Sequence, residues 1–550
     1  MALRNILLLT VDDLRPQLGP YEMPTTLTPN IDALAARGLT FQRAYCQMAV
    51  CSPSRNSFMT GRRPDNTRVW NFLGWFRSTV DERGGTSRPN VGANWTSMPE
   101  HFKNNGYLTY AHGKLYHPVG GANNDFPRSW TQDDFNPWYW GNGDPIGDSD
   151  PCCAGNNPAT PLPGVAVTLK HNWTSCTVCT TLDDAAAMND HDNKSAPQTS
   201  QHVEYDHRVA TRTIESLQRV KQLQRNFFIA AGFRKPHLVW RTPSKFRNLY
   251  DTAAVTVAAH GVIDATVPTL AFEMNGMMQQ IFSTPDGHIY RESPHGETPA
   301  LPHELQRELR HGYYSAVSFL DFEVGRVLDS LDGLGLAPTT AVVLHSDHGW
   351  KLGEHGAWSK CSNWELDARV PLIVAAPWID ASRGQKTLAF AELVDLYPTT
   401  VALAGLPAVG EALDGTSLVP VLEAPHAPHA KEAAFSQYPR CPQFDLLTDP
   451  ERWECLWVPK ANITRMGYTI RVADARYTEW RSWQAGCVAD WSPAGLVASE
   501  LYDHYGDDGA GAAAYDDFEN VNLAHEPARR AQVQALAARL RAQFERAPGC

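Results

Sequence analysis

The chain has 550 residues, 43% of them hydrophobic and 20% charged, and a net charge of −12. That is enough for one large globular domain and a smaller one. The acidic balance argues against a nucleic-acid binder, whose footprint is basic, although a local basic pocket can sit in an acidic protein. No run of about 18 consecutive apolar residues occurs, so no membrane span is expected.

In chain order, the apolar run at 5–11 reads as a first buried strand. It is too short, and too soon followed by acids, to be a signal peptide. The protein is therefore cytosolic, or its leader is missing; a secreted, periplasmic or lysosomal enzyme without its leader is the expectation, with a cytoplasmic one as the alternative. Helices are expected at 30–37, 98–105, 209–224, 305–331 and 391–404, where apolar residues recur at helical spacing, and further strands at 108–111, 226–231, 340–345 and 372–375. This alternation predicts an α/β domain with a largely parallel sheet over roughly 1–425. Long irregular insertions at about 140–205 and 250–300 are rich in Asn, Asp, Gly, Pro and Thr. Past 426 the texture changes: short aromatic strands at 466–470, 475–480 and 500–502 and an Ala/Arg-rich helix at 526–547 predict a smaller α+β domain.

Of the eleven cysteines, Cys152, Cys153, Cys176 and Cys179 cluster in the first insertion. They suit a disulfide-stapled loop, free thiols or, less well because two are adjacent, a metal site. Sequons at Asn94, Asn172, Asn193 and Asn462 are near chance for this composition.

Polar residues just past strand ends matter most, because ligands of open α/β sheets bind there. Asp12-Asp13 follows the first strand. Two adjacent carboxylates repel unless a cation lies between them, although a helix cap beside a solvated neighbour would look the same. His345-Ser346-Asp347-His348-Gly349 follows a later strand, and the two strand ends together supply hard oxygen ligands for calcium or magnesium. His348 brings a nitrogen, less natural for calcium. Cys51-Ser52-Pro53-Ser54-Arg55, closely followed by Thr60-Gly61-Arg62, leads into what reads as a helix from Asn56 onward. Arg55 stands one helical turn beyond Cys51 on the same face. Lys114 and His117 follow the strand at 108–111, Lys235 and His237 the strand at 226–231, and Lys360 closes Gly353–Lys360; taken singly, these are ordinary surface residues.

Taken together, the motifs resemble the type I, formylglycine-dependent sulfatases. The resemblance rests on Val11–Pro16, Thr28–Asp32, the Cys51 pentapeptide with Gly61-Arg62-Arg63-Pro64, Lys235-Pro236-His237, and Ser346–Trp350 through Lys360. It is strongest to the iduronate 2-sulfatase branch, whose C-terminal part looks like Tyr438-Pro439-Arg440, Met466-Gly467-Tyr468 and Glu500–Asp503 here. It implies an alkaline-phosphatase-like fold: a large mixed sheet sandwiched by helices, with a smaller C-terminal antiparallel sheet. It also implies 3-oxoalanine (formylglycine) made from Cys51 by a formylglycine-generating enzyme. One divalent cation, most simply Ca2+, would be held by Asp12, Asp13, Asp347, His348 and residue 51. The implied chemistry is sulfate ester hydrolysis on a sulfated carbohydrate. A hydroxyl of hydrated residue 51 attacks sulfur, Arg55 holds that hydroxyl and the carboxylates, and Lys114 and Lys360 hold the sulfate. His237 protonates the departing alcohol, and His117 removes a proton from the remaining hydroxyl. Lys235, Trp350 and Arg440 are candidates to line the sugar subsite, Arg440 by pairing with a uronate carboxylate. His345 and His355 read as structural. Rival readings are a formylglycine phosphonate or phosphodiester hydrolase, a choline-type sulfatase, and a non-catalytic relative. The last would be expected to lose some of Cys51, Arg55, Lys114, His117, His237 and Lys360.

Overall fold

The computed structural model describes residues 3–79 except 24, 88–117, 123–131, 205–272 except 239 and 241, 301–444, 449–511 except 485, and 517–545, with strand pieces at 160–161, 168–169 and 282–283. Cys152, Cys153, Cys176, Cys179, Asn172 and Asn193 lie outside the described residues, as does most of the two expected insertions.

The elements that carry the argument are, in order, β1 (Asn5–Asp12), α1 (Pro29–Ala35), β2 (Leu39–Tyr45), α2 (Cys51–Thr60), α3 (Met98–Asn104), β3 (Leu108–Gly113), α4 (Tyr205–Leu223), β4 (Phe227–Pro236), α5 (His303–Gly333), β5 (Thr340–Ser346), β6 (Arg369–Val370), β7 (Leu372–Ala375), β8 (Gln385–Glu392) and α6 (Leu396–Ala404). They are followed by β9 (Ala434–Arg440), β10 (Arg465–Val472), β11 (Ala475–Gln484), β12 (Leu496–Asp503) and α7 (Arg530–Phe544).

β1 is buried along its whole length, as a strand covered on both faces must be. Its alternate residues serve two cores. Leu7, Leu9 and Val11 pack with Val209, Leu217, Val220, Tyr313, Val317 and Leu320 of α4 and α5. Ile6 and Leu8 pack with Phe58, Met59, Phe102 and Val401 of α2, α3 and α6. The result is an eight-stranded mixed sheet between helical layers. β5, β1, β4 and β3 run parallel, in that order. β7 and β6 run antiparallel to β5 and β2, and β8 adds a parallel edge on β2. Pro371 separates β6 from β7, because it has no N–H for the ladder. The parallel strands deliver Asp12, Gly113, Pro236 and Ser346 to one edge, and this sets the place of the site.

Several expectations shift. β4 runs to Pro236, so Arg234 and Lys235 end the strand instead of following it. Residues 391 and 392 belong to β8, and the helix expected from 391 begins at Leu396. The helix after the cysteine motif begins at Cys51 itself, not beyond Arg55. β2 and β8 are strands beyond those expected: the alternation Leu39-Thr40-Phe41-Gln42 in β2 is only four residues long, and the fold buries the polar residues with the apolar ones.

The second sheet, β9-β10-β11-β12, is antiparallel, with Val488–Ala489 paired to the end of β11. α7 closes it with Phe544, whose ring lies 4.4 Å from Tyr468. Cys441 and Cys455 form a disulfide across the segment after β9. Cys487 is also disulfide-bonded, with its partner outside the described residues. No helix among the described residues is long and apolar enough to cross a membrane.

The two sheets meet at a buried ion cluster. The Glu365 carboxylate accepts from Tyr45 of β2 at 2.8 Å, from Arg471 of β10 at 3.1 Å and from Arg476 of β11. Arg476 also pairs with Glu519 at 2.6 Å and Arg471 with Asp507 at 2.6 Å. Against burial, Arg471 and Arg476 hold the Glu365 carboxyl well below the usual range. Removing one partner of such a cluster leaves buried charge unmatched, which costs about 3–5 kcal/mol. Glu365→Leu is expected to lower unfolding free energy by about that amount in denaturant titration; a loss under about 1 kcal/mol, the range of an exposed pair, would show the cluster to be incidental.

Candidate active site

Asp12 ends β1, and Asp13 follows in the left-handed region at φ 65°. A non-glycine residue there is strained and persists only where its surroundings hold it. Tyr313 donates to the Asp13 carbonyl at 2.7 Å, the Asp13 N–H donates to Asp347 at 3.3 Å, and Ser346 accepts from the Leu14 N–H at 2.9 Å. The turns after β1 and β5 therefore brace each other and hold three carboxylates together.

Cys51 is the first residue of α2, with Val50 as an N-cap that offers no side-chain cap. The amide dipoles at that end favour negative charge at residue 51. Its Sγ lies 3.2 Å from Lys360 Nζ, 3.3 Å from His348 Nε2, 3.4 Å from Lys114 Nζ and 3.4 Å from Asp12 Oδ1. Burial and Asp12 push the thiol up, against Lys114 and Lys360. A thiolate nucleophile needs the opposite shift, so the unmodified cysteine is poorly suited to attack.

Three cations balance the three carboxylates. One turn along α2, Arg55 donates to Asp347 at 2.8 Å and to the carbonyl of Lys114. Lys114 donates to Asp12, and Lys360 to Asp13 at 2.6 Å. Despite burial, Lys114, His237 and Arg55 hold Asp12 well below the usual carboxylate range. Burial pushes Asp13 up to about 8, with Asp12 adding to it and Lys360 opposing.

The donor set suits a divalent cation. Asp12, Cys51, Asp347 and His348 offer ligand atoms within 4.8 Å of one another, and so do Asp12, Asp13, Cys51 and His237. Asp13 Oδ2 is buried with no hydrogen-bond partner among the described residues, an orphan that a cation would satisfy. His348 Nδ1 lies 3.1 Å from the Gly349 carbonyl, leaving Nε2 toward the carboxylates; a backbone acceptor on the far nitrogen is what orients a ligand histidine.

Two histidines beside the buried charges retain some exposure. His237 keeps 7% and His117 is half-buried, whereas Asp12, Asp13, Asp347 and Lys360 are at 0%. His237 Nδ1 lies 2.7 Å from the Leu238 carbonyl, so its other nitrogen faces the cluster. Asp206, in the first turn of α4, accepts the backbone N–H groups of Arg234 at 2.6 Å and Lys235 at 2.7 Å and so fixes the turn that carries His237. Sequence reasoning missed Asp206: an acid in a helix's first turn is too common to stand out. Burial pushes both histidines well below the usual imidazole range, Lys114 adding to it.

Two expected subsite residues are buried. Trp350 is fully buried, with Lys360 Nζ 5.5 Å from its ring. Arg440 is fully buried too, donating to the Cys361 and Pro439 carbonyls and lying 4.8 Å from the Tyr438 ring. Its Nε has no hydrogen-bond partner among the described residues. Lys235 is 7% exposed at the rim. His345 is a core residue, 3.0 Å from Thr10 Oγ1 and edge-on to Phe58.

A profile of the sulfatase family matches residues 4–406. Iduronate 2-sulfatase of Homo sapiens is 33% identical over 547 residues, covering 90% of this chain and 88% of its own length. The Mus musculus iduronate 2-sulfatase is 32% identical over 568 residues, covering 95% and 92%. Among solved structures, the phosphonate monoester hydrolase of Agrobacterium radiobacter superposes with a TM-score of 0.63 at 20% identity, covering 98% of this chain and 96% of that one, a likeness of fold alone.

The donor set predicts a thermal-shift result. Calcium or magnesium is expected to raise the melting temperature of the chelator-treated protein, by the equivalent of about 2.7 kcal/mol at a hundredfold excess over Kd. Asp13→Ala and Asp347→Ala should abolish the response. An unchanged response in both would remove these carboxylates from the cation site.

Proposed function

From the premise that this chain belongs to the sulfatase family and hydrolyses sulfate esters of sugars, we propose that it removes a single sulfate from the end of a sulfated, uronate-containing saccharide, as an iduronate 2-sulfatase-like exo-enzyme. The observation that carries the reading is the convergence on Cys51 Sγ, at the tip of α2, of Lys114, Lys360, His348 and Asp12 within 3.2–3.4 Å. The full burial of the charged centre, beside histidines that keep some exposure, supports a substrate that inserts its end.

When formed and bound, the formylglycine hydrate at residue 51 supplies the nucleophile, and a divalent cation, Ca2+ by the hardness of three carboxylates, supplies charge stabilisation. Lys114 and Lys360 bracket residue 51 and bind the oxygens of the sulfate. Arg55 holds Asp347 and the Lys114 carbonyl, which keeps the lysine in place. His237 donates a proton to the leaving oxygen; burial keeps it neutral until an anion enters the pocket, so the substrate's own charge loads the acid. His117, neutral for the same reason, accepts the proton from the second hydroxyl of residue 51. We assign the catalytic unit to 1–425 and the smaller sheet and terminal helix to 426–550. This division is supported by β1–β8 all preceding residue 393 and by β9 beginning at Ala434. The Cys441–Cys455 disulfide supports a secreted, periplasmic or lysosomal setting.

Mass spectrometry of the tryptic peptide 44–55, from protein made with a formylglycine-generating enzyme, is expected to show an aldehyde at residue 51. The converted protein should then act on a panel of terminally sulfated uronate disaccharides. Conversion with turnover only of choline sulfate, or only of a phosphonate monoester, would replace the substrate reading. A thiol in every competent host would remove the nucleophile. In the converted protein, His237→Ala should cut kcat/KM about 10²–10⁴-fold on sugar sulfates and much less on aryl sulfates, whose leaving groups need no proton. Equal losses on both would deny His237 the role of acid.

A further inference from the structure

Beside the site is a stack of rings that none of these roles uses. The His117 imidazole lies face to face with Phe72, centroids 4.2 Å apart and planes 11° from parallel. Trp457 packs on Phe72 at 5.1 Å and 52°. Phe72 is 4% exposed and its backbone is pinned. Its N–H donates to the Leu456 carbonyl at 3.2 Å. The neighbouring Asn71 amide donates to the carbonyls of Cys455 at 3.0 Å and Val458 at 2.5 Å, and accepts from the Leu73 N–H at 2.9 Å. All three carbonyls lie at or just past the end of the segment closed by the Cys441–Cys455 disulfide. Phe72 is thus a fixed plate, held by part of the chain distant in sequence from β3, whereas His117 stands four residues beyond that strand and is half-buried.

A base works only while its nitrogen stays within about 3 Å of the proton it takes. A ring stacked on a fixed plate loses the freedom to tilt about χ2, because tilting breaks the offset contact that aromatic pairs prefer. We propose that Phe72 is a positioning residue for His117: held by the disulfide-closed segment and backed by Trp457, it sets the plane in which the His117 nitrogens lie. The inference rests on the reading of His117 as the proton acceptor, which acts after the alcohol has left. Loosening the stack should therefore slow that later step and spare the first.

The test uses the full-length, converted protein and the variants Phe72→Leu, Phe72→Tyr and Trp457→Leu. With an aryl sulfate, Phe72→Leu is expected to release its first equivalent of phenol at nearly the wild-type rate, while steady-state kcat falls about ten- to hundredfold, following His117→Ala. Phe72→Tyr, which keeps the flat ring, should restore kcat, and Trp457→Leu should give a smaller fall in the same step. A second readout needs no substrate: in protein carrying 13C-labelled histidine, the His117 Hε1 resonance, identified by its loss in His117→Ala, should lie upfield in wild type and Phe72→Tyr. It should move toward the ordinary imidazole position in Phe72→Leu, or broaden in Trp457→Leu if Phe72→Leu does not fold. An unmoved resonance, equal losses in both kinetic phases, or an intact kcat in Phe72→Leu beside a low one in His117→Ala would overturn the positioning role alone. An intact kcat in His117→Ala would overturn the assignment of the base, and the inference with it.

Discussion

Three carboxylates buried at one point constrain everything around them. Asp12, Asp13 and Asp347 have no exposure to water, and an unmatched ion at such a depth costs several kcal/mol. The matching charges come from three separate parts of the chain: Arg55 from α2, Lys114 from the end of β3, and Lys360 from the loop after β5. These meet only if the strands keep their register and α2 keeps its angle to the sheet. The parallel core β5-β1-β4-β3 achieves this because parallel strands finish at one edge. The left-handed Asp13 is the local sign of the constraint. Its conformation is unfavourable for an aspartate, and it is held by Tyr313 from the helical layer beneath.

Charge balance also explains why the lysines do two tasks. Each reaches a carboxylate and Cys51 Sγ at once. A cation among the carboxylates and an anion on residue 51 would draw the ammoniums the same way, toward residue 51. Binding of one would then favour binding of the other through the two lysines. The histidines feel the same charges more weakly than they feel burial: burial pushes both well below the usual imidazole range, Lys114 adds to this and Asp12 opposes it.

Much of this was legible in the sequence. The five strands expected in the large sheet exist, because buried parallel strands read as short apolar runs, and the site residues follow them because strand ends are where such a fold places ligands. What stayed hidden has physical causes. β2 is buried on both faces yet carries Thr40, Gln42 and Arg43, so no apolar run marks it and its alternation stops at Gln42. Arg440 and Trp350 are candidates for the sugar subsite on residue type alone, and the fold buries both, Arg440 at the end of β9. The sequence shows that an aromatic or an arginine is near a site, but not which way it faces.

The supports of the two functional layers differ in kind, and this has a consequence for how the enzyme can vary. The carboxylate–cation layer is cross-braced: Asp347 alone accepts from Arg55, from its neighbour His348 and from the Asp13 backbone. Losing one contact leaves others, but losing one charge leaves its partners unmatched. The histidines have supports of another kind: Asp206 beneath the turn that carries His237, the Leu238 carbonyl on His237 Nδ1, and the Phe72 ring against His117. One of these supports touches a loop: Phe72 is tied to the segment past the Cys441–Cys455 disulfide. Loops vary more readily than strand ends. The placing of His237 and His117 is thus open to change through residues that never touch the charged centre.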